Sequence, residues 1–268
     1  MKFDYKVEKI SKSLAVSFVE KYHYSPIMPI HTKYFLGFYL GKELKGVLTL
    51  GWGTQPLNTI KKMFPDLGTG DYYEIGKMCM SEDMPKNSES QMISKTISWM
   101  KSNLKERLFL YTMADGIMGK VGYVYQASNF YFGEGYFTQS YMMGNGEKIH
   151  PRSVKKLLKV NRAFSKLSHI PAWLTKDFMK KENIKLIEGL MFRYVYPLSK
   201  KAKYIMTNKS TLVWDKNYPK DRDLIWFDKT QKPKIKIDKP PFTFETAEYN
   251  PQSKKISKTP NFPLDIFS

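Results

Sequence analysis

Short stretches of alternating apolar and polar residues run through the first half of the chain, separated by stretches with helical spacing. Residues 2–10 alternate and predict a strand. Residues 11–22 then place Leu14, Phe18 and Tyr22 on one helical face, with Ser11 or Ser13 as the cap. Residues 34–40 and 44–50 are apolar strands joined by Gly41-Lys42-Glu43, a hairpin connection. A Gly- and Pro-rich loop follows over 52–69, with one helical turn around 60–64. Further strands are expected at 72–80, 108–112 and 131–141, and helices at 91–104 and 119–128.

This order predicts an α+β fold. Its sheet is mixed, mostly antiparallel and twisted, with one central βαβ crossover made of 72–80, 91–104 and 108–112. Ligands of such sheets favour the cleft beyond the C-terminal ends of the parallel strands, beside the start of the crossover helix. Residues 81–90 and 113–119 should form its rim.

The second half is less regular. Residues 152–164 read as a basic amphipathic helix, 171–182 as a second helix and 190–198 as a strand. Beyond Lys229 the chain turns Lys- and Pro-rich, and 230–268 reads as an extended tail. Residues 1–200 are expected as the catalytic domain, family-specific and basic from about 146, with 201–268 as a basic, partly extended C-terminal tail.

Charge sharpens this division. Residues 1–149 carry 18 Lys/Arg against 14 Asp/Glu, whereas residues 150–268 carry 26 against 11, so most of the net +19 sits in the second half. Such asymmetry suits a polyanion, because lysines placed on phosphates release condensed counterions; a Lys-rich solubilising surface is the rival explanation. No run approaches the roughly 18 apolar residues of a membrane helix, and the N-terminus lacks the apolar core of a signal peptide. The single cysteine, Cys79, excludes a disulfide framework within the chain and reads as a small buried hydrophobe in a strand. A cytoplasmic setting is the expectation.

The motifs agree with the element order. YVYQASNF (123–130) resembles the end of the fourth helix of GNAT acyltransferases, where a tyrosine protonates the leaving group; the matching residue is Tyr125. More specifically, the chain resembles the Mom family. The likeness is carried, in order, by YHYSPIMP (22–29), LGFYLGKELKGVLTLG (36–51), EIGKMCMSEDMPKNSES (74–90), ADGIMGKVGYVYQASNFYFGEG (114–135), GEKIHPRS (146–153) and FRYVYPLSKK (192–201). The resemblance implies a GNAT-like enzyme that converts the adenine N6-amine of phage DNA to a carbamoylmethyl (acetamido) derivative, shielding the DNA from restriction. Double-stranded DNA is the implied partner.

It also implies catalytic roles for His23, Asp115 and Tyr125, expected to meet at one cleft. The same imidazole, carboxylate and phenol would suit Fe(II). His23 equally fits a helix C-cap, and Asp115 an N-cap. Adenine must leave the stack to react, so an aromatic slot is needed; Trp52, flanked by Gly51 and Gly53, is the first candidate, with Tyr24 and Tyr131 behind it. Each of these rings would also serve in a core. His150, Arg152, Lys155 and Lys156 are candidate DNA clamps, or else a solvated helix face. Acetyl-CoA enzymes of this fold bind pyrophosphate on a glycine-rich loop, and here that stretch, DMPKNSESQ (83–91), has no glycine. The donor is therefore left open, with Lys86, Asn87 and Ser88 as its candidate contacts. Two other readings remain: an N-acetyltransferase acting on a protein or small amine, and a non-catalytic DNA-binding protein on the same scaffold.

Overall fold

A hairpin begins the sheet. Strands β2 (His31–Leu40) and β3 (Glu43–Trp52) pair antiparallel, and the turn between them passes through Gly41 at φ 58°, a backbone region that glycine enters without a Cβ clash. Strand β1 (Lys6–Lys9) adds to the outside of β2. Between β1 and β2 runs α1 (Lys12–Tyr22), where the Ser11 hydroxyl accepts the Leu14 N–H at 3.2 Å. The helix buries Ala15, Phe18 and Val19 against Val47 and Cys79. Cys79 is buried, as its alternation in the strand predicts. The structure, a computed structural model, describes residues 3–23, 28–142, 148–149, 176–181 and 183–238.

The chain divides into two compact units: Met1–Ala114, Lys120–Gly135 and Phe192–Lys220 in the first, Asp115–Gly119, Tyr136–Met191 and Asp221–Ser268 in the second. In the first, strand order is β1-β2-β3-β4-β5-β8-β6, with β4 at Tyr72–Met80, β5 at Phe109–Asp115, β6 at Tyr131–Met142 and β8 at Lys185–Pro197. Strands β6 and β8 each contribute residues to both units. Helix α2 (Pro56–Met63) follows β3, α3 (Ser88–Asn103) connects β4 to β5, and α4 (Tyr123–Ala127) follows β5. The β4–β5 pair is parallel, as the crossover predicts. The fold is α+β, with a mixed sheet that holds one parallel crossover.

One core of this unit joins Ile60, Met63 and Phe64 with Tyr72, Phe109, Tyr111 and Val195. It also takes in Ala202 and Met206 from α6 (Lys200–Asn208). Residues 201–220, expected as part of an extended tail, therefore form a helix and a strap packed into the first unit. Trp214 fills the space over Gly133, where a Cβ would stand 2.4 Å from the indole. Phe132 and Asp215 exchange backbone hydrogen bonds of 2.9 and 3.0 Å.

In the second unit β6 pairs with β7 (Lys148–Ile149), and β8 pairs with β9 (Trp226–Asp228), which pairs with β10 (Ile235–Ile237). Ile117, Met142 and Ile187 are its buried core beneath Trp226 and Ile237. The buried carboxylate of Glu188 binds Lys229 at 2.7 Å and Lys234 at 2.6 Å, tying the β9–β10 hairpin down. That hairpin lies inside 201–268, the stretch expected to be a partly extended tail. Helix α5 (Lys176–Lys181) lies within the helix expected at 171–182. The helix expected at 152–164 and the tail beyond 238 lie outside the described residues. Among the described residues, no helix is long and apolar enough to cross a membrane.

Candidate active site

Strands β4 and β5 pair only over Tyr72–Glu74 against Phe109–Tyr111. Beyond those rungs they part, β4 staying with β3 up to Met80. The cause is visible in the β3–β4 register, which shifts between Leu48 and Leu50. There the Lys77 N–H bonds the Thr49 hydroxyl at 2.8 Å instead of a strand carbonyl. A bulge of this kind bends its strand away from a neighbour and re-aims the side chains beside it. Gly76 lies in the bulge, where a Cβ would crowd Thr49 and Pro29 at 3.0 and 3.1 Å.

Glu74 stands where the strands part. It pairs with Gly51 in register, on the face that carries Val47 and Cys79 beneath α1. Burial pushes its carboxyl up to about 7, against a smaller downward pull from the Gly53 backbone N–H. Its Oε2 is buried with no hydrogen-bond partner. A Cβ on residue 53 would stand 3.2 Å from that oxygen. The glycines flanking Trp52 thus have distinct reasons: at Gly51 a Cβ would collide with the His31 carbonyl at 2.2 Å, and Gly53 leaves room for Glu74. Buried carboxylate oxygens in native folds are nearly always hydrogen-bonded, so Oε2 is placed to take a partner from a bound molecule or water.

Tyr125 approaches the same gap from the other face. Thr112 alternates with Tyr111, so it faces the α3 side, and Tyr125 on α4 lies within hydrogen-bonding reach of its side chain. Burial raises the Tyr125 hydroxyl above its ordinary value, Thr112 pulls it back and the charge of Glu74 raises it further. The phenol is therefore held neutral, a donor at neutral pH. Its helix is fixed by Gln126, whose amide nitrogen donates to Val121 O, Tyr194 Oη and Pro219 O at 3.3, 3.1 and 3.1 Å. Gly122, at φ 88°, lets the chain turn into α4 against Tyr194.

The other expected residues are placed as follows. His23 is the C-cap of α1, its N–H donating to Val19 O at 2.9 Å, so the imidazole sits at the end of the helix that covers the Glu74 face. Trp52 is half-buried, its indole N–H donating to Thr69 O and Tyr72 O, each at 3.2 Å, with Tyr73 at 5.0 Å between ring centres. Tyr131 is half-buried, with the Lys216 ammonium 5.1 Å from its ring centre. Asn87 precedes α3 at φ 73° without capping it by its side chain, and Ser88 Oγ donates to Pro85 O at 2.6 Å. Lys86 is exposed beside them, and Lys45 pins the loop through Asp83 at 2.5 Å. Tyr24, His150, Arg152, Lys155 and Lys156 lie outside the described residues.

Asp115 belongs to the second unit. It caps the short turn Gly116–Met118 through the Met118 N–H at 3.3 Å and pairs with Lys148 at 2.5 Å. That ammonium occupies the carboxylate, so a metal ion would have to displace it. Among the described residues no group of three His, Cys, Asp or Glu side chains is placed to hold a metal.

Sequence reasoning missed Glu74. Within EIGKMCM an acidic residue in an alternating strand reads as a solvent-facing position. The available signal was the pair of glycines around Trp52.

Comparison with known proteins agrees with the motifs. A model of the Mom protein family matches residues 4–220. The methylcarbamoylase mom of Escherichia phage Mu is 28% identical over 215 residues, covering 80% of this chain and 83% of that protein. Among solved structures, a Bacillus subtilis acetyltransferase in complex with CoA aligns at 12% identity and TM-score 0.34, over 73% of this chain and all of that one.

Proposed function

The chain belongs to the Mom protein family, and we propose that it is a DNA-modifying transferase acting on the N6-amine of adenine, to which it adds a carbamoylmethyl group. The observation that carries the reading is the buried Glu74 carboxyl where β4 and β5 part, its Oε2 without a hydrogen-bond partner among the described residues and its charge felt by the Tyr125 phenol.

Adenine N6 is a weak nucleophile because its lone pair is delocalised into the ring. A base that removes its proton as the N–C bond forms supplies acceleration of about 10²–10⁴. Ionised Glu74 takes that proton. The bond from the transferred carbon to its leaving group breaks in the same step, and neutral Tyr125 gives the leaving group a proton. Two titratable groups whose surroundings suit opposite proton transfers are a recurring acid–base arrangement. The target base is extruded to reach the gap, at a cost of a few kcal/mol, and Trp52, held by two carbonyls, is the proposed stacking platform. His23, at the end of α1, is assigned to the acceptor side, and the role of Asp115 is the one the family resemblance implies. Lys86, Asn87 and Ser88 hold the donor at the start of α3. His150, Arg152, Lys155 and Lys156 are the proposed clamps on the duplex backbone. Shielding of DNA from restriction, in the host cytoplasm, is the proposed consequence.

The test is nucleoside mass spectrometry of DNA from bacteria expressing the chain in soluble form. A heavier deoxyadenosine is expected; an unaltered nucleoside profile overturns the proposal.

A further inference from the structure

Helix α6 breaks an electrostatic rule. Its first turn holds Lys200, Lys201 and Lys203 with no acidic residue, although the positive end of a helix favours anions. None of the three, nor Lys209 at the other end, is ion-paired among the described residues, and all four are exposed. The fold tolerates this because the helix is anchored otherwise: Ser199 caps it at 3.1 Å, and Ala202 and Met206 are buried against α2. Thr207 and Asn208 fold back onto helix carbonyls at 3.1 and 2.8 Å, leaving the outer stripe to the lysines and to Tyr204, which is 61% exposed. A local rule broken without internal compensation points to an external partner.

The position of this stripe matters. Ser210 and Thr211, just past α6, bond the Met63 carbonyl at 2.9 and 3.0 Å, locking α6 to the end of α2. Both helices pack on Tyr72, whose hydroxyl donates to Pro56 O at 2.9 Å, and Tyr72 and Glu74 share one face of β4. The lysine stripe is thus built on the core that backs the Glu74 face.

We infer that α6 is a docking rail for the phosphodiester backbone of duplex DNA, with Lys200, Lys201, Lys203 and Lys209 as phosphate contacts and Tyr204 as a sugar contact. The inference rests on the DNA-modifying reading and adds a grip outside residues 150–175. Lys200, Lys201 and Lys203 sit in the first turn and Lys209 is the C-cap, about 13 Å along the axis from Lys200, so the cations reach both ends of a span of about four phosphates along one strand.

The test compares K200Q/K201Q/K203Q/K209Q with the equally discharged K12Q/K33Q/K42Q/K105Q. Binding of a fluorescent duplex by the full chain is followed by anisotropy from 50 to 300 mM KCl, with thermal unfolding as the folding control. The α6 variant is expected to bind at least about tenfold more weakly, with the slope of log K against log salt shallower by about 2–4. The control variant should stay within about threefold. The unfolding midpoint of the α6 variant should equal or exceed that of the parent, since removing lysines from the positive end of a helix relieves repulsion. Equal losses in both variants, an unchanged α6 variant, or displacement of the duplex by polyglutamate as readily as by competitor DNA each overturn the inference. Failure of the DNA-modifying reading is distinct: the parent chain would then leave deoxyadenosine unaltered, whatever α6 does.

Discussion

The backbone N–H of Gly53 holds the Glu74 carboxyl, and a Cβ at position 53 would stand 3.2 Å from the other carboxyl oxygen. The contact lowers the proton affinity that burial raises, so the carboxyl of the proposed base sits at about 7.

Activity should follow the ionisation of Glu74. Burial raises its carboxyl to about 7, so product formation in extracts that supply the donor should rise with pH through about 7 and level off above it. Glu74→Gln should lower the rate by at least about 100-fold and abolish that rising limb, while duplex affinity stays within about threefold. A rising limb that survives in the Gln variant would assign the base elsewhere.

Stability should carry the same signature with a definite sign. The folded carboxyl sits above its ordinary 4.5, so between about 4.5 and 7 the folded state binds more protons than the unfolded one. Glu74 therefore costs nothing below that window, and stability falls as pH rises through it, by about 3 kcal/mol at most. Unfolding of the parent and of Glu74→Gln should coincide near pH 4.5, with the variant more stable at pH 8. The reverse order would show that Glu74 is ionised and satisfied in the folded state.

Tyr125→Phe removes the proposed proton donor and keeps the ring that packs at 5.7 Å on Phe130 and 5.5 Å on Tyr194. Product should fall by about 10²-fold or more with the unfolding midpoint shifted by only a few degrees. Near-parental product would remove Tyr125 from the chemistry.

Asp115 and Lys148 separate a structural from a catalytic role. Their side chains are 18% and 32% exposed, so the ion pair contributes about 1 kcal/mol or less. Asp115→Asn and Lys148→Met should therefore barely change the unfolding midpoint. A loss of product in the Asn variant alone would support a role in the reaction; parental product in both would leave Asp115 a turn cap.

Much of the fold was legible in the sequence, because each early element carries its own local cue: Ser11 before α1, Gly41 between two apolar runs, and the parallel β4 and β5 flanking an amphipathic α3. YVYQASNF singles out Tyr125 as a candidate, and its place on α4 was legible from the helical spacing. Glu74 was not, since its importance arises from where the β4–β5 pairing stops and from the glycine opposite it, neither of which is local to its strand. Helix α6 was hidden for a related reason. KKAKYIMTN buries only Ala202 and Met206, too few apolar positions to mark a helix until α2 is present to cover them. The β9–β10 hairpin likewise depends on Glu188, some forty residues earlier, to gather Lys229 and Lys234.

The most direct measurement is the nucleoside mass spectrum of DNA from bacteria expressing the parent chain, Glu74→Gln and Tyr125→Phe at equal soluble levels. The account predicts a heavier deoxyadenosine with the parent and its loss, or reduction by at least about 100-fold, in both variants. Unaltered deoxyadenosine with the parent, or parental amounts of the product in the Glu74→Gln strain, would contradict it.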